Sequence, residues 1–150
     1  MGICFSRNPI HKKYINKYDD YSAIKIFSFD KCKTIAKVVD VYDGDTCTIV
    51  FFLNKQVIKY KCRMLGYDSP EMKPLKSIDN RDEIIQKAKR AREYFIALVK
   101  ESDFIVDVTM GKFDKYGRIL VTMTNKMGNI NELMIQNGHG VSYDGGTKLK

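Results

Sequence analysis

Runs rich in β-branched and other apolar residues begin at Thr34, and short polar segments separate them. Such runs are typical of β-strands. They predict strands at Ile35 to Tyr42, Thr46 to Leu53 and Val57 to Leu65. The polar break at Asn54-Lys55-Gln56 is short enough for a tight connection, so we expect a meander of three strands.

In the middle of the chain, these β-branched runs give way to a helical pattern of apolar residues. One face of the predicted helix carries Ile84, Ala88, Ala91, Phe95 and Leu98, spaced by three or four residues. The other face carries the basic residues Lys87, Lys89, Arg90 and Arg92. We interpret the basic face as a solvated helix surface rather than as a dedicated nucleic-acid stripe.

The final third of the chain predicts two strands and a short helix. The strands run from Phe104 to Met110 and from Arg118 to Thr124, and the helix spans about Ile130 to Gln136 and closes at Asn137-Gly138. The order is therefore three strands, a helix, two strands and a helix. This order predicts a mainly β (α+β) fold, a five-stranded barrel of the oligonucleotide-binding (OB-fold) type with two to three packed helices.

We expect one domain with a tail at each end, since the chain has 150 residues, the common size of a single domain. Residues 1–31 lack a sustained period and carry Lys12, Lys13 and Lys17, which is typical of an extended basic arm. The barrel domain is expected at residues 32–143, and a C-terminal tail at residues 144–150.

The charge of the chain favours polyanionic partners. It has 26 Lys and Arg against 18 Asp and Glu, a formal net charge of +8, which attracts nucleic acid or an anionic membrane surface. The four cysteines form no C-x-x-C pair, so a reducing compartment is expected. We expect that the protein is neither secreted nor membrane-spanning, since the N-terminal residues lack the apolar stretch of a secretory signal and no apolar run reaches the length of a bilayer. It also lacks the glycine-rich phosphate loops, so we expect no nucleotide cofactor.

Four polar signatures follow one another along the chain and carry its candidate chemistry. They are Asp43-Gly44-Asp45-Thr46, Arg63, Asp68-Ser69-Pro70-Glu71 and Asp114-Lys115-Tyr116-Gly117-Arg118. The carboxylates can hold a hard cation, and the two guanidinium groups can clamp a phosphate. Together they favour metal-assisted hydrolysis of a phosphodiester.

Each acidic signature also has a purely structural interpretation. Asp43-Gly44-Asp45 and Asp114 to Gly117 suit tight turns, and Asp68 to Glu71 has the pattern of a helix capping box. None of these interpretations requires Arg63 or Arg118. Isolated histidines, His11 and His139, offer no support for a histidine mechanism or a zinc site.

In these four signatures, and in Asn131-Glu132-Leu133, the chain resembles the staphylococcal (micrococcal) nuclease-like family from about Cys32 to Tyr143. The resemblance implies an OB-fold nuclease that uses Ca²⁺. Asp45, Asp68 and the backbone carbonyl of Ser69 would bind the ion. Glu71 would activate the attacking water. Arg63 and Arg118 would bind the scissile phosphate, while Lys115, Tyr116 and Tyr143 would bind the rest of the substrate.

The N-terminus carries a separate signal. Met1-Gly2-Ile3-Cys4-Phe5-Ser6 fits the pattern for myristoylation of Gly2, with Cys4 placed for palmitoylation and basic residues behind it. In a chain made in a eukaryotic cell, we expect a lipid anchor on the cytosolic face of a membrane, and otherwise a cytoplasmic protein.

Together with the four signatures, the resemblance implies a calcium-dependent, sugar-nonspecific endonuclease that acts on DNA and RNA and leaves 3′-phosphorylated products. The alternative is a catalytically inert OB-fold module that binds nucleic acid or a protein partner.

Overall fold

The computed structural model describes residues 9–143. Its helices are α1 (Pro9–Ile15), α2 (Arg81–Lys100) and α3 (Ile130–Gln136). Its strands are β1 (Lys33–Val41), β2 (Thr46–Leu53), β3 (Gln56–Met64), β4 (Tyr67–Asp68), β5 (Ile105–Phe113), β6 (Ile119–Asn125), β7 (Gly128–Asn129) and β8 (Val141–Ser142). The strand and helix predictions from residue 35 onward are confirmed to within about three residues at each end.

Five strands close into a barrel within the described residues. Neighbouring strands pair antiparallel in the order β3-β2-β1-β5-β6, and a parallel pairing of β3 with β6 joins the two ends. That closing contact pairs Cys62 with Ile119 and Met64 with Val121. The predicted OB-fold barrel, mainly β with packed helices, is therefore confirmed.

The barrel interior is filled by the inward residue of each alternating pair. Ile49, Cys62, Ile119 and Val121 are at most 1% exposed, because every second side chain of a strand points to the same face. Helix α2 covers this core with the predicted face, whose Ala88, Ala91, Phe95 and Leu98 are all buried. Only Ile84 of that face is half-buried.

Helix α3 is tied to the barrel by one buried amide. The side-chain oxygen of Asn131 accepts from the backbone N–H of Met123, and its nitrogen donates to the carbonyls of Leu65 and Val121. Because β3 continues into Leu65 and Val121 lies in β6, this amide holds the closing strands together. The helix ends as predicted, with Gly138 in the left-handed region at φ 73°.

The N-terminal segment contains a helix that the sequence pattern did not predict. Helix α1 has no buried residue, so it lacks the apolar face on which a periodicity argument depends. Farther along, Phe29 packs edge-on against Phe51 and is 7% exposed. The domain boundary at residue 31 stays a prediction. Among residues 9–143, no helix combines the length and apolar character needed to cross a bilayer.

Candidate functional site

The loop between β1 and β2 places Asp45 at the end of the barrel. The oxygen Oδ1 of Asp43 accepts from the backbone N–H of Asp45 at 3.1 Å, which makes the loop the turn that its sequence favours. A Cβ on Gly44 would lie 2.7 Å from the Cβ of Ser69 and 2.8 Å from that of Ala91. Only glycine therefore lets this loop pack so closely against the segment after β4 and against helix α2.

Two buried hydrogen bonds hold the loop after β4 against the Asp45 loop. The hydroxyl of Tyr67 donates to the carbonyl of Gly44 at 2.6 Å, and the backbone N–H of Ser69 donates to Oδ2 of Asp45 at 3.0 Å. Tyr67 is fully buried and Asp45 is 4% exposed. As a consequence, the Asp45 and Asp68 loops form one rigid edge of the site.

Arg63 lies between the two predicted metal ligands. Its Nη2 is 3.2 Å from Oδ2 of Asp45 and donates to Oδ1 of Asp68. Arg63 follows Cys62 in β3 and pairs across the sheet with Thr46, so its side chain leaves the strand on the outer face at the rim of the barrel. Two carboxylates therefore offset the charge of Arg63 at this partly buried position.

Arg118, which directly precedes β6, reaches the same cluster. Its Nε donates to Oδ2 of Asp114 at 2.7 Å, and its Nη1 donates to the hydroxyl of Thr46 at 3.1 Å. That hydroxyl in turn donates to Oδ1 of Asp45 at 2.9 Å. A continuous polar network therefore runs from Asp114 through Arg118 and Thr46 to Asp45, and on through Arg63.

The carboxylates of this cluster are close enough to perturb one another. Burial, and then the negative charge of Asp45, raise the pKa of Asp43 to about 6 from its ordinary value of 3.8. The contribution of Asp45 shows that these two carboxylates lie close enough to repel each other when both are ionised. A cation bound beside them would offset that repulsion.

The donor set fits a hard divalent cation that takes part of its coordination from water and substrate. Asp45 and Asp68 offer carboxylate oxygens, the ligands that Ca²⁺ and Mg²⁺ prefer. They share one guanidinium, so they face a common point. Within residues 9–143, no three His, Cys, Asp or Glu side chains lie close enough together to bind one metal ion. An ion at Asp45 and Asp68 would therefore need further ligands besides these side chains.

The capping alternative for Asp68 to Glu71 is wrong. Helix α2 begins at Arg81, after the N-cap Asn80, while Asp68 ends β4 and Glu71 is exposed on the following loop. The turn interpretation of Asp114 to Gly117 is correct, because Oδ1 of Asp114 accepts from the N–H groups of Tyr116 and Arg118.

The predicted substrate residues surround this cluster. Tyr116 is 71% exposed, with Lys115 Nζ at 5.0 Å and Arg118 Cζ at 5.4 Å from its ring centre. The backbone N–H of Tyr143 donates to the carbonyl of Gly66, next to β4, which brings this residue to the Asp68 side of the site. The lipidation residues Gly2 and Cys4 lie outside the described residues.

A comparison with protein families bears directly on this geometry. The model of the staphylococcal nuclease homologues matches residues 61–148, more than half of the chain. The chain belongs to the staphylococcal nuclease homologue family. The predicted resemblance is therefore confirmed. A comparison with curated proteins gave no match.

The residues matched by the staphylococcal nuclease homologue model include Arg63, Asp68, Glu71 and Arg118. Asp45 lies before the first matched residue. The structure joins Asp45 to this group through Ser69 and Arg63.

Three residues of the network were not predicted as site residues, namely Thr46, Tyr67 and Asp114. Thr46 and Asp114 stand inside the quoted signatures, so their proximity to the candidate residues was the available signal. For Tyr67, the sequence offered only its position next to Asp68.

Proposed function

We propose that this chain is a calcium-dependent endonuclease that hydrolyses DNA and RNA without regard to the sugar and leaves 3′-phosphorylated products. The observation that carries the proposal is the position of Arg63, whose guanidinium contacts both Asp45 and Asp68. A cation held by these carboxylates and a phosphate held by this arginine would therefore be neighbours. Membership of the nuclease family supports the same reaction class.

Asp45, Asp68 and the carbonyl of Ser69 would hold the calcium ion, which when bound offsets negative charge on the phosphate. Asp45 is buried, accepts two hydrogen bonds and pairs with Arg63, and these contacts hold its carboxylate in one orientation before substrate arrives. A preorganised carboxylate loses little conformational entropy on binding an ion.

The two arginines would bind the scissile phosphate from two directions. Arg63 and Arg118 have side chains that are 20% and 19% exposed, so each stays partly accessible to a substrate from solvent. Planar guanidinium groups bind phosphate oxygens through paired hydrogen bonds, which strengthen as negative charge grows in the transition state.

Glu71 would take the proton from the attacking water, since its exposed position on the loop after Asp68 leaves it accessible to solvent. Attack on phosphorus then breaks the bond to the 5′ oxygen. Arg118 would stabilise the charge on that leaving oxygen.

The test replaces Arg63 by Lys, which keeps the positive charge and loses the paired hydrogen bonds. A phosphate-binding Arg63 predicts a fall in kcat of about 30-fold or more, the effect of about 2 kcal/mol. The free energy of unfolding should change far less, since Lys can still pair with Asp45 or Asp68. Normal turnover by a destabilised Arg63→Lys variant would instead support a purely structural role for Arg63, whereas nucleic-acid binding without cleavage by wild type would support the inert binding module.

We further propose that the N-terminal segment attaches the enzyme to the cytosolic face of an anionic membrane. The supporting observation is that α1 combines Lys12 and Lys13 with Ile10, Tyr14 and Ile15, which are 55%, 60% and 61% exposed. Exposed apolar side chains beside lysines suit the headgroup region of an anionic bilayer. Myristoylation of Gly2 and palmitoylation of Cys4 would strengthen this contact.

Fractionation of eukaryotic cells that express wild type, Gly2→Ala and Cys4→Ser tests the membrane proposal. Wild type should sediment with membranes, Gly2→Ala should be released, and Cys4→Ser should bind weakly and dissociate in salt. Equal solubility of wild type and Gly2→Ala would contradict the anchor, while leaving the nuclease proposal unaffected.

A further inference from the structure

Two lysines extend the charge of Arg63 along the outer face of the barrel. Every second residue of β3 faces outward, and Lys59 and Lys61 share that face with Arg63, while Cys62 and Met64 point into the core. Both lysines are exposed. Among the ion pairs of the described residues, none involves Lys59 or Lys61.

The neighbouring strand offers no carboxylate to these lysines. Lys61 pairs across the sheet with Thr48, and Lys59 pairs with Val50. The next strand out, β1, contributes Lys37 opposite Val50 and Asp40 opposite Thr48. Asp40 is thus two strands away from Lys61, about 10 Å, and Lys37 of the same strand offsets its negative charge.

An exposed apolar pair lies at the far end of the same face. Phe52 of β2 pairs with Val57 of β3, and the two side chains are 66% and 72% exposed. An exposed phenylalanine ring is a surface on which a nucleic-acid base can stack. Lysines followed by an aromatic ring are the combination that proteins use to follow a single strand.

We propose that this face, the β3 track (Lys59, Lys61 and Phe52), binds the single-stranded part of the substrate that continues beyond the phosphate at Arg63. The inference rests on the proposed nuclease function, because Arg63 marks where the strand would be cut. Outward residues of one strand are about 6.6 Å apart, comparable with the spacing of successive phosphates along an extended single strand. Lys61 and Lys59 would therefore meet the next phosphates in turn, and Phe52 would stack a base beyond them.

The test compares a double variant, Lys59→Gln with Lys61→Gln, with a matched control, Lys89→Gln with Lys100→Gln. The control lysines are also exposed but lie on α2, away from β3 in the sequence. Both variants replace two lysines and therefore lose the same net charge. Binding of a fluorescent thymidine dinucleotide and a thymidine octanucleotide is measured by anisotropy, with a chelator present to prevent cleavage.

The double variant should lose affinity for the octanucleotide and keep wild-type affinity for the dinucleotide. Each lost phosphate contact reduces the slope of log binding constant against log salt concentration by about 0.7 for a single strand, so two lost contacts reduce this slope by about 1.4. Over a fourfold rise in salt, wild-type affinity should therefore fall about sevenfold more than that of the double variant. Phe52→Ala should weaken octanucleotide binding without changing the salt slope.

An unchanged salt slope in the double variant, or an equal loss in the control pair, would overturn the proposal. So would unchanged oligonucleotide binding combined with lost binding to anionic vesicles or to an acidic peptide, since the face would then serve another polyanion. Calcium-dependent cleavage is measured on the same proteins. If the double variant loses affinity only for the octanucleotide but wild type does not cleave, the nuclease proposal is refuted and the β3 track is supported. If wild type cleaves but the double variant binds both oligonucleotides as wild type does, the β3 track is refuted and the nuclease proposal is supported.

Discussion

Replacing Asp114 by Asn separates two roles of one carboxylate. Its Oδ1 accepts from the backbone N–H groups of Tyr116 and Arg118 at 2.8 and 2.9 Å and so forms the turn. Its Oδ2 accepts from Nε of Arg118 at 2.7 Å. Asparagine keeps one oxygen for the turn and places an amide nitrogen, a donor, against the Arg118 donor. The variant should therefore keep the loop and lose the orientation of Arg118.

The size of the effect follows from the burial of the pair. A hydrogen bond between charged groups contributes about 1.5 to 3 kcal/mol, and the side chains of Arg118 and Asp114 are only 19% and 12% exposed. If half or more of this energy positions Arg118 for the phosphate, kcat/KM should fall about 4-fold to 160-fold, since 1.36 kcal/mol is a factor of ten.

Partial burial alone would raise the pKa of Asp114, but hydrogen bonds from Arg118 and Tyr116 outweigh it and lower that pKa below 3.8. A lowered carboxyl pKa stabilises the fold above the unfolded-state value and loses this contribution as pH falls through the folded-state value. The stability gap between wild type and Asp114→Asn should therefore narrow in acid.

The assay is calcium-dependent cleavage of single-stranded DNA by wild type, Asp114→Asn, Arg118→Ala and the double variant. Because Asp114 acts through Arg118, its replacement should cost little once Arg118 is absent. Thermal unfolding of each variant checks that the proteins are folded. A full rate for Asp114→Asn, or the same loss with and without Arg118, would refute the positioning role.

Two further predictions concern the loops that hold Asp45. Burial and the charge of Asp45 raise the pKa of Asp43 to about 6. The contribution of Asp43 to the free energy of unfolding is therefore fully present below pH 3.8, the pKa of the unfolded state, and is lost as the pH rises through 6. Asp43→Asn should consequently stabilise the metal-free protein at pH 8 by about 1 to 2 kcal/mol, after allowance for solvent screening, and by much less at pH 4. Urea unfolding at both pH values measures this, and equal gains at both would contradict it. Tyr67→Phe leaves the buried carbonyl of Gly44 without its donor and should cost about 1 to 3 kcal/mol of unfolding free energy, while a loss below about 0.5 would show that water replaces the hydroxyl.

The sequence predicted the barrel because the β-branched runs of the strands and the apolar spacing of the helix are local properties of the chain. The inward alternation of β3 and the buried face of α2 depend only on neighbours along the sequence. Helix α1 escaped prediction for the same reason, since a helix without a buried face carries no period.

The network of the site could be predicted only as a set of residues. The contact between Arg118 and Thr46 joins residues 72 positions apart and exists because β3 and β6 close the barrel. The perturbed pKa of Asp43 likewise depends on burial that the motif alone does not specify. For Asp68 to Glu71, the capping pattern was misleading, because helix α2 starts later, after a loop that the local pattern did not reveal.

Chelator-controlled digestion of plasmid DNA and of RNA by wild type and Asp45→Asn tests the central claim most directly. Asparagine keeps an oxygen for the Ser69 N–H but removes the charge that would hold calcium. Wild type should degrade both substrates in calcium, leave 3′-phosphates and stop when the ion is chelated, and folded Asp45→Asn should be inactive. Binding of nucleic acid without cleavage, or cleavage that persists in the chelator or in Asp45→Asn, would contradict the account.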